Sequence, residues 1–95
     1  MYLHIGNGYV VRNADVIGIF DLDNTSQSHI TRAYLAAAEK NGEVENASGE
    51  FLPKSFVVCR AENGQQRVYL SQLNSSTLHR RLGSGSQSIE LQTEK

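Results

Sequence analysis

The chain has 95 residues and a formal net charge of −1, which indicates a single domain and does not by itself point to nucleic acid. Hydrophobic residues make up 39% and charged residues 20%, a balance that is typical of globular domains and excludes disordered or fibrous chains. The sequence has one cysteine, no leader-like N-terminus and no apolar run of roughly 18 residues, so we expect a cytoplasmic protein with no disulfide and no membrane span.

The N-terminal part of the sequence predicts three strands. Residues 2–5 and 9–11 are short strand-like runs, and the Gly-Asn-Gly turn signal between them predicts a hairpin. Residues 16–22 form an apolar run that continues on both faces. Such a run predicts a third strand in a central position of a sheet.

A helix is predicted to follow over residues 27–41. The segment 23–26 is rich in N-cap residues, and the Asn41-Gly42 pair supplies a left-handed stop. Helical spacing predicts one apolar stripe that packs on the core, formed by Ile30, Tyr34, Ala37 and Ala38.

The following part of the chain predicts three more strands. Residues 43–47 are a short polar candidate, whereas residues 55–61 and 67–71 are strongly strand-like. An Asn-Gly pair in residues 62–66 predicts a hairpin loop between these last two strands. Cys59 falls within a hydrophobic strand and is expected to behave as a small core residue.

A short second helix is predicted to close the domain. Asn74 and the two serines after it cap this helix, and Leu78 and Leu82 share one of its faces. Gly83 is the expected stop.

The predicted element order is therefore β-β-β-α-β-β-β-α. This order indicates an α+β domain with a small, mostly antiparallel sheet over residues 1–82. The Gly- and Ser-rich composition of residues 83–95 predicts a flexible polar tail.

One motif in the sequence suggests enzyme chemistry. Asp21 and Asp23 follow a hydrophobic strand in the Asp-x-Asp-x-Thr pattern that opens haloacid-dehalogenase-like phosphatases, where the first Asp attacks phosphorus and the second transfers protons beside Mg²⁺. That chemistry also requires a later acidic pair for the metal, and no acidic pair follows a later hydrophobic strand. We expect the two residues to end a strand before a helix cap, so no enzyme is predicted and the phosphatase is a remote alternative.

No cofactor or metal site is expected. His4, His29 and His79 lie far apart on three different predicted elements, and no His-x-x-x-His spacing occurs. Each of these histidines is expected on the surface.

Charge is distributed unevenly along the chain. Residues 1–49 carry three basic and six acidic side chains, whereas residues 50–82 carry five basic and two acidic ones. This asymmetry allows protomers to stack head to tail or to present a basic face to a polyanion, with ordinary solvated surface as the alternative. The candidate phosphate-contacting residues are Lys54, Arg67, Arg80 and Arg81.

Several stretches together resemble the bacterial extracellular-matrix regulatory proteins, the RemA/RemB family, and the RemB branch most closely. They are Leu3-His4-Ile5-Gly6, Val16-Ile17-Gly18-Ile19-Phe20-Asp21, Pro53-Lys54-Ser55-Phe56-Val57-Val58 and Leu73-Asn74-Ser75-Ser76-Thr77-Leu78. The resemblance covers about residues 1–82. It implies a cytoplasmic bacterial regulator of biofilm-matrix genes that assembles into a homo-oligomer, such as a ring, binds promoter DNA and acts alone or with a RemA-type relative.

This sequence departs from the RemA branch in one loop. RemA-type members carry adjacent arginines before the strand that here holds Phe56, whereas this chain has Phe51 and Leu52 and keeps a positive charge at Lys54. A guanidinium pair can grip phosphate through two hydrogen bonds, and Phe and Leu cannot.

Two hypotheses follow from this departure. The first is an oligomeric transcriptional regulator that contacts the DNA backbone through the four candidate cations. The second is an assembly or partner protein that does not bind DNA and uses Phe51 and Leu52 as an apolar contact point.

Overall fold

The computed structural model describes residues 1–22 and 29–86, with side chains described as far as Gly83. These segments contain six strands, two α-helices and a 3₁₀ turn. In chain order they are β1 (Tyr2–Gly6), β2 (Tyr9–Arg12), the 3₁₀ turn (Asn13–Asp15), β3 (Val16–Asp21), α1 (His29–Lys40), β4 (Val44–Asn46), β5 (Ser55–Arg60), β6 (Gln66–Ser71) and α2 (Ser75–Ser86).

The strands form two sheets. β1 and β2 pair with each other as an antiparallel hairpin, and the other four strands form a sheet in the order β3-β5-β6-β4. β5 pairs antiparallel with both β3 and β6, whereas β4 pairs parallel with β6. The predicted α+β fold with a small, mostly antiparallel sheet is confirmed.

The four-stranded sheet is the middle layer of the domain. Because side chains alternate along β5, Phe56 and Val58 point to one face and Val57 and Cys59 to the other. The first face packs against α1. The second face packs against the β1–β2 hairpin and α2 in a core that contains Leu3, Ile5, Val11, Ile19, Ala47 and Leu78.

The predicted central position of β3 is wrong. Among the described strands β3 pairs only with β5, so it lies at the edge of the sheet. Ile19 is buried in the core, but 58% of Ile17 and 42% of Phe20 are exposed. The apolar run arises because β3 contributes to the core on one face and to a partly open surface on the other.

The predicted apolar stripe of α1 is wrong in part. Tyr34 and Ala38 face the sheet, as does Leu35, whereas Ala37 is exposed and Ile30 is 82% exposed. The C-terminal end of α1 is closed by a local hydrogen bond, in which the backbone N–H of Glu43 donates to the Ala38 carbonyl at 2.9 Å after the left-handed Gly42.

The cap of α2 is as predicted, but its end is not. The Asn74 side chain accepts a hydrogen bond from the Thr77 backbone N–H at 2.9 Å, which satisfies a free donor of the first turn. Gly83 does not adopt the positive φ of a helix stop, and α2 continues to Ser86. The flexible tail predicted over residues 83–95 stays a prediction, because residues 87–95 lie outside the described residues.

Candidate functional site

The structure does not gather the four candidate cations into one patch. Lys54 is exposed just before β5, beside the Ser55–Ser71 pair, whereas Arg67 lies opposite Cys59 near the other end of the β5–β6 hairpin. The four residue steps from Arg67 to Ser71 span about 13 Å of strand. A single subunit therefore presents its positive charge at separate places.

Arg67 is already engaged within the subunit. Its Nη1 donates to Glu45 Oε2 at 3.3 Å and to the Gly42 carbonyl at 3.3 Å. The Tyr9 hydroxyl also donates to Glu45, at 3.4 Å. Arg67 thus links β6 to β4 and the end of α1, and its charge is partly balanced by a carboxylate.

Arg80 and Arg81 lie on the exposed side of α2, beside β1. Together with Tyr2 and His4 they line an open cleft of about 600 Å³. Arg81 Nη1 donates to the His4 carbonyl at 3.1 Å, which holds this guanidinium against β1. The sequence analysis did not assign a role to Tyr2 or His4. Tyr2 and His4 alternate with the apolar Leu3 and Ile5 along β1, and this alternation indicates that they lie on the exposed face of the strand.

The loop of residues 47–54, called here the apolar loop, carries Phe51 and Leu52 at its surface. Phe51 is 66% exposed and Leu52 is 86% exposed. The base of the loop is anchored, because the Asn46 side-chain oxygen accepts from the Ser48 backbone N–H at 3.0 Å and from its hydroxyl at 2.5 Å. An ordered loop therefore presents two adjacent apolar side chains to solvent.

A second apolar surface lies between β3 and α1. This β3–α1 groove has a volume of about 330 Å³ and is lined by Ile17, Phe20, Ile30, Thr31, Tyr34, Phe56, Val58 and Gln66. The Phe20 ring stacks on the Phe56 ring at 5.0 Å between centroids. A Cβ at Gly18 would lie 2.8 Å from the Phe20 ring, so the absence of a side chain there lets that ring lie over β3.

The sequence analysis missed the groove as a site. The sequence places its apolar residues in two predicted strands and on the core face of the first helix. The sequence shows only that most of these residues are apolar. An apolar residue can be buried within one subunit or exposed for contact with another, so the pattern does not distinguish a core from a groove.

The phosphatase interpretation gains no support from the geometry. Asp21 ends β3 opposite Ser55 in an antiparallel pair, and Asp23 lies outside the described residues. Across residues 1–22 and 29–86, no group of three or more His, Cys, Asp or Glu side chains could hold a metal ion.

Cys59 is a core residue, as predicted. It is 3% exposed, and burial raises the pKa of its thiol to about 11, with a smaller contribution from the Asp15 carboxylate. A thiol that stays protonated at neutral pH is a poor nucleophile.

The described molecule is a small α+β domain with surface features suited to binding, namely dispersed arginines and two exposed apolar regions. Neither helix in the described part of the chain has the length and apolar character that a membrane crossing requires. The chain belongs to the RemA-like family, described as extracellular matrix regulatory protein A-like, whose sequence model matches residues 2–82.

One relative is similar over most of both chains. Extracellular matrix regulatory protein B of Bacillus subtilis (strain 168) is 38% identical over 81 residues, which cover 85% of this chain and 89% of that protein. The predicted resemblance to the RemA/RemB family, and to its RemB branch, is confirmed.

Proposed function

We propose that this chain is a regulator of extracellular-matrix gene expression that assembles from several copies in the cytoplasm and contacts the backbone of promoter DNA. Membership of the RemA-like family, together with 38% identity to an extracellular matrix regulatory protein, is the observation that carries the proposal. The match spans nearly the whole described domain, so it concerns the domain rather than a shared motif.

The proposed phosphate contacts are Arg80, Arg81 and Lys54. The two arginines are exposed on one helix, and Arg81 is oriented by its bond to the His4 carbonyl. We assign Arg67 a secondary contribution, because Glu45 already accepts its hydrogen bond. These three cations of one subunit would bind DNA weakly, and their repetition in an assembly raises the effective concentration of every further contact.

The test is a DNA-binding titration on a matrix-operon promoter across a salt series. We expect the logarithm of affinity to fall linearly with the logarithm of salt concentration, by about 0.9 per phosphate neutralised. In the double variant Arg80→Gln/Arg81→Gln we expect weaker binding and a slope that is shallower by about two for each contacting subunit.

The matched control is Arg12→Gln. Arg12 is also exposed, but its guanidinium forms a local ion pair with Asp15 at 2.9 Å and is not in the Arg80–Arg81 cleft. If Arg12→Gln and the double variant lose the same amount of DNA affinity, the assignment of the phosphate contact to Arg80 and Arg81 is contradicted. Absence of binding at low salt would contradict the DNA-binding role itself.

A second candidate function is supported by the apolar loop. Where the RemA branch has charge, this chain exposes Phe51 and Leu52, and such an exposed apolar pair suits a protein contact rather than phosphate. The chain would then be an assembly partner, for example of a RemA-type relative, without touching DNA. Light scattering with such a relative distinguishes the two functions, because this one requires a mixed complex in the absence of DNA.

A further inference from the structure

The Arg80–Arg81 cleft combines positive charge with flat ring systems. It has a volume of about 600 Å³, and Tyr2 and His4 of β1 line it together with the two arginines of α2. Small-molecule sites in proteins have volumes of roughly 300–1,000 Å³, so the cleft is large enough for a small ligand. Such a ligand would contact a phenol ring and an imidazole as well as two guanidinium groups.

The two rings are presented by the exposed face of β1. Leu3 and Ile5 are at most 1% exposed and point into the core, so Tyr2 and His4 point outward, and 65% of Tyr2 is exposed. The Cα atoms of the two outward residues are about 7 Å apart, because each residue adds about 3.4 Å to an antiparallel strand. The rings can therefore contact different parts of one ligand, and the exposed Tyr2 ring offers a surface on which another flat ring can stack.

Arg81 is held at the cleft without losing its charge. Its Nη1 donates to the His4 carbonyl at 3.1 Å, and a carbonyl carries no net charge. A guanidinium has further N–H donors, and these remain available to a ligand. Arg12 and Arg67 differ from Arg81, because a carboxylate oxygen lies 2.9 Å from the first and 3.3 Å from the second. Arg81 is therefore oriented but not neutralised.

The charges around the cleft favour an anion. No carboxylate lines it, and across residues 1–22 and 29–83 neither Arg80 nor Arg81 forms an ion pair. The strand position opposite Tyr2 holds another cation, Arg12, whose charge is paired with Asp15. Guanidinium groups can hold phosphate through two parallel hydrogen bonds, so phosphate groups suit this pair of arginines.

We propose that the Arg80–Arg81 cleft binds a free nucleoside phosphate, with its phosphates on the two arginines and its base stacked on Tyr2. A nucleotide joins an anion to a flat ring, and the cleft offers a partner for each. The His4 imidazole can add a hydrogen bond to the sugar or to a phosphate oxygen. Stacking on an aromatic side chain tolerates any base, so we expect no strong preference among the bases.

Occupation of the cleft would also regulate the proposed function. Arg80 and Arg81 are the proposed DNA contacts, and a nucleotide bound to them would make both unavailable to a promoter. We therefore expect a free nucleotide to compete with DNA. This competition rests on the proposed function, whereas nucleotide binding itself does not.

The first experiment is isothermal titration calorimetry of the unmodified chain with three matched probes. ADP has base, sugar and phosphates, whereas pyrophosphate lacks the nucleoside and adenosine lacks the phosphates. We expect ADP to bind about tenfold more tightly than pyrophosphate, because only ADP can stack on Tyr2. Adenosine should bind most weakly, because it has no charge for the arginines to hold. Equal affinities for ADP and pyrophosphate would contradict a site for the nucleoside.

Variants then separate the ring from the charge. Tyr2→Leu keeps an apolar side chain but removes the ring, so affinity for ADP should fall about tenfold while affinity for pyrophosphate is unchanged. Tyr2→Phe keeps the ring and should bind ADP like the unmodified chain. Arg81→Gln should weaken the binding of both probes.

The control is Arg60→Gln, which removes an exposed positive charge outside this cleft and should leave both affinities unchanged. Tyr2, Arg60 and Arg81 are all exposed, so circular dichroism and the melting temperature of each variant should match those of the unmodified chain.

The second experiment adds ADP to the complex of this chain with promoter DNA. We expect ADP to release the DNA, and Tyr2→Leu to require about tenfold more ADP for the same release. Sodium sulfate at equal ionic strength controls for screening of the phosphate contacts, and it should release less DNA than ADP does. DNA that stays bound at saturating ADP would contradict the shared use of the cleft.

The remaining failures distinguish the two proposals. If ADP does not bind, or if Tyr2→Leu and Arg60→Gln lose the same affinity for it, the nucleotide site is wrong while the DNA-binding role still stands. If a single-stranded oligonucleotide binds more tightly than ADP, the cleft takes a nucleic-acid strand and the free ligand is wrong. If ADP binds as expected but the chain binds no promoter DNA, the proposed function fails and the nucleotide site remains.

Discussion

The two faces of the sheet differ in how completely they are covered. On the hairpin and α2 face, Leu3, Ile5 and Leu78 are at most 1% exposed. On the α1 face, Phe56 is buried under Tyr34, but Ile17, Phe20 and Ile30 remain exposed beside it. The first face accounts for much of the stability of the single subunit, and the second keeps apolar surface available for contact. Burial of apolar area, rather than the mere presence of apolar residues, separates the two roles.

The largest expected effect on stability comes from opening the covered face. Leu78→Ala removes a fully buried side chain from the core and leaves a cavity, so we expect a loss of about 2–5 kcal/mol in the free energy of unfolding. Ile30→Ala on the open face should change that free energy by no more than about 0.5 kcal/mol. Urea denaturation at low protein concentration, where assembly does not contribute, measures both. Comparable losses of unfolding free energy for Leu78→Ala and Ile30→Ala would show that the two faces of the sheet do not differ in burial.

A smaller loss is expected at the buried bond that joins the hairpin to the sheet. The Ser71 hydroxyl donates to the Ile5 carbonyl at 2.7 Å and accepts from the Leu73 backbone N–H at 3.1 Å. Ser71→Ala leaves both groups without this partner in a buried environment, which costs about 1–3 kcal/mol. The control is Ser76→Ala, an exposed serine on α2, where thermal and urea unfolding should show a much smaller change.

The last expected effect appears only at alkaline pH, and it is the pH dependence that Cys59 adds on the covered face. Its folded pKa of about 11 lies above the ordinary value of 9.0. Between these values the unfolded chain loses the thiol proton while the folded chain keeps it. The stabilisation is therefore complete below pH 9 and is lost as pH rises towards 11.

Urea unfolding from pH 8 to pH 11 measures this effect. The unmodified chain should lose more stability over this range than Cys59→Ala. At pH 8 alkylation of the folded thiol should be at least about a hundredfold slower than that of the unfolded chain, because two pKa units separate the thiolate populations. Rapid alkylation without unfolding would show that this face is open.

Most of the secondary structure was predictable because its causes are local. The Gly6-Asn7-Gly8 turn, the Asn74 cap and the Gly42 stop each depend on neighbouring residues, and the structure has all three as expected. Gly83 shows the limit of local signals. Since Leu82 packs against the core, tertiary contact carries α2 past a glycine that by itself favours a stop.

The candidate sites were less predictable. Sequence patterns correctly placed Arg80 and Arg81 on an exposed helix, but they could not indicate that Tyr2 and His4 of β1 would share the same cleft. The engagement of Arg67 by Glu45 was equally hidden, since it depends on the parallel pairing of β4 with β6.

By itself the sequence determined the kinds of element and their order, because turn residues, caps and apolar periodicity act over a few neighbouring positions. The family was indicated separately, by the resemblance of whole stretches of the chain. Only the tertiary structure decided that β3 lies at an edge and that α1 leaves Ile17 and Ile30 exposed. The physical reason is that an apolar side chain gains similar free energy from burial in its own core or in a neighbouring molecule. The sequence pattern is the same in both cases, and the difference is the arrangement of the remaining elements around it.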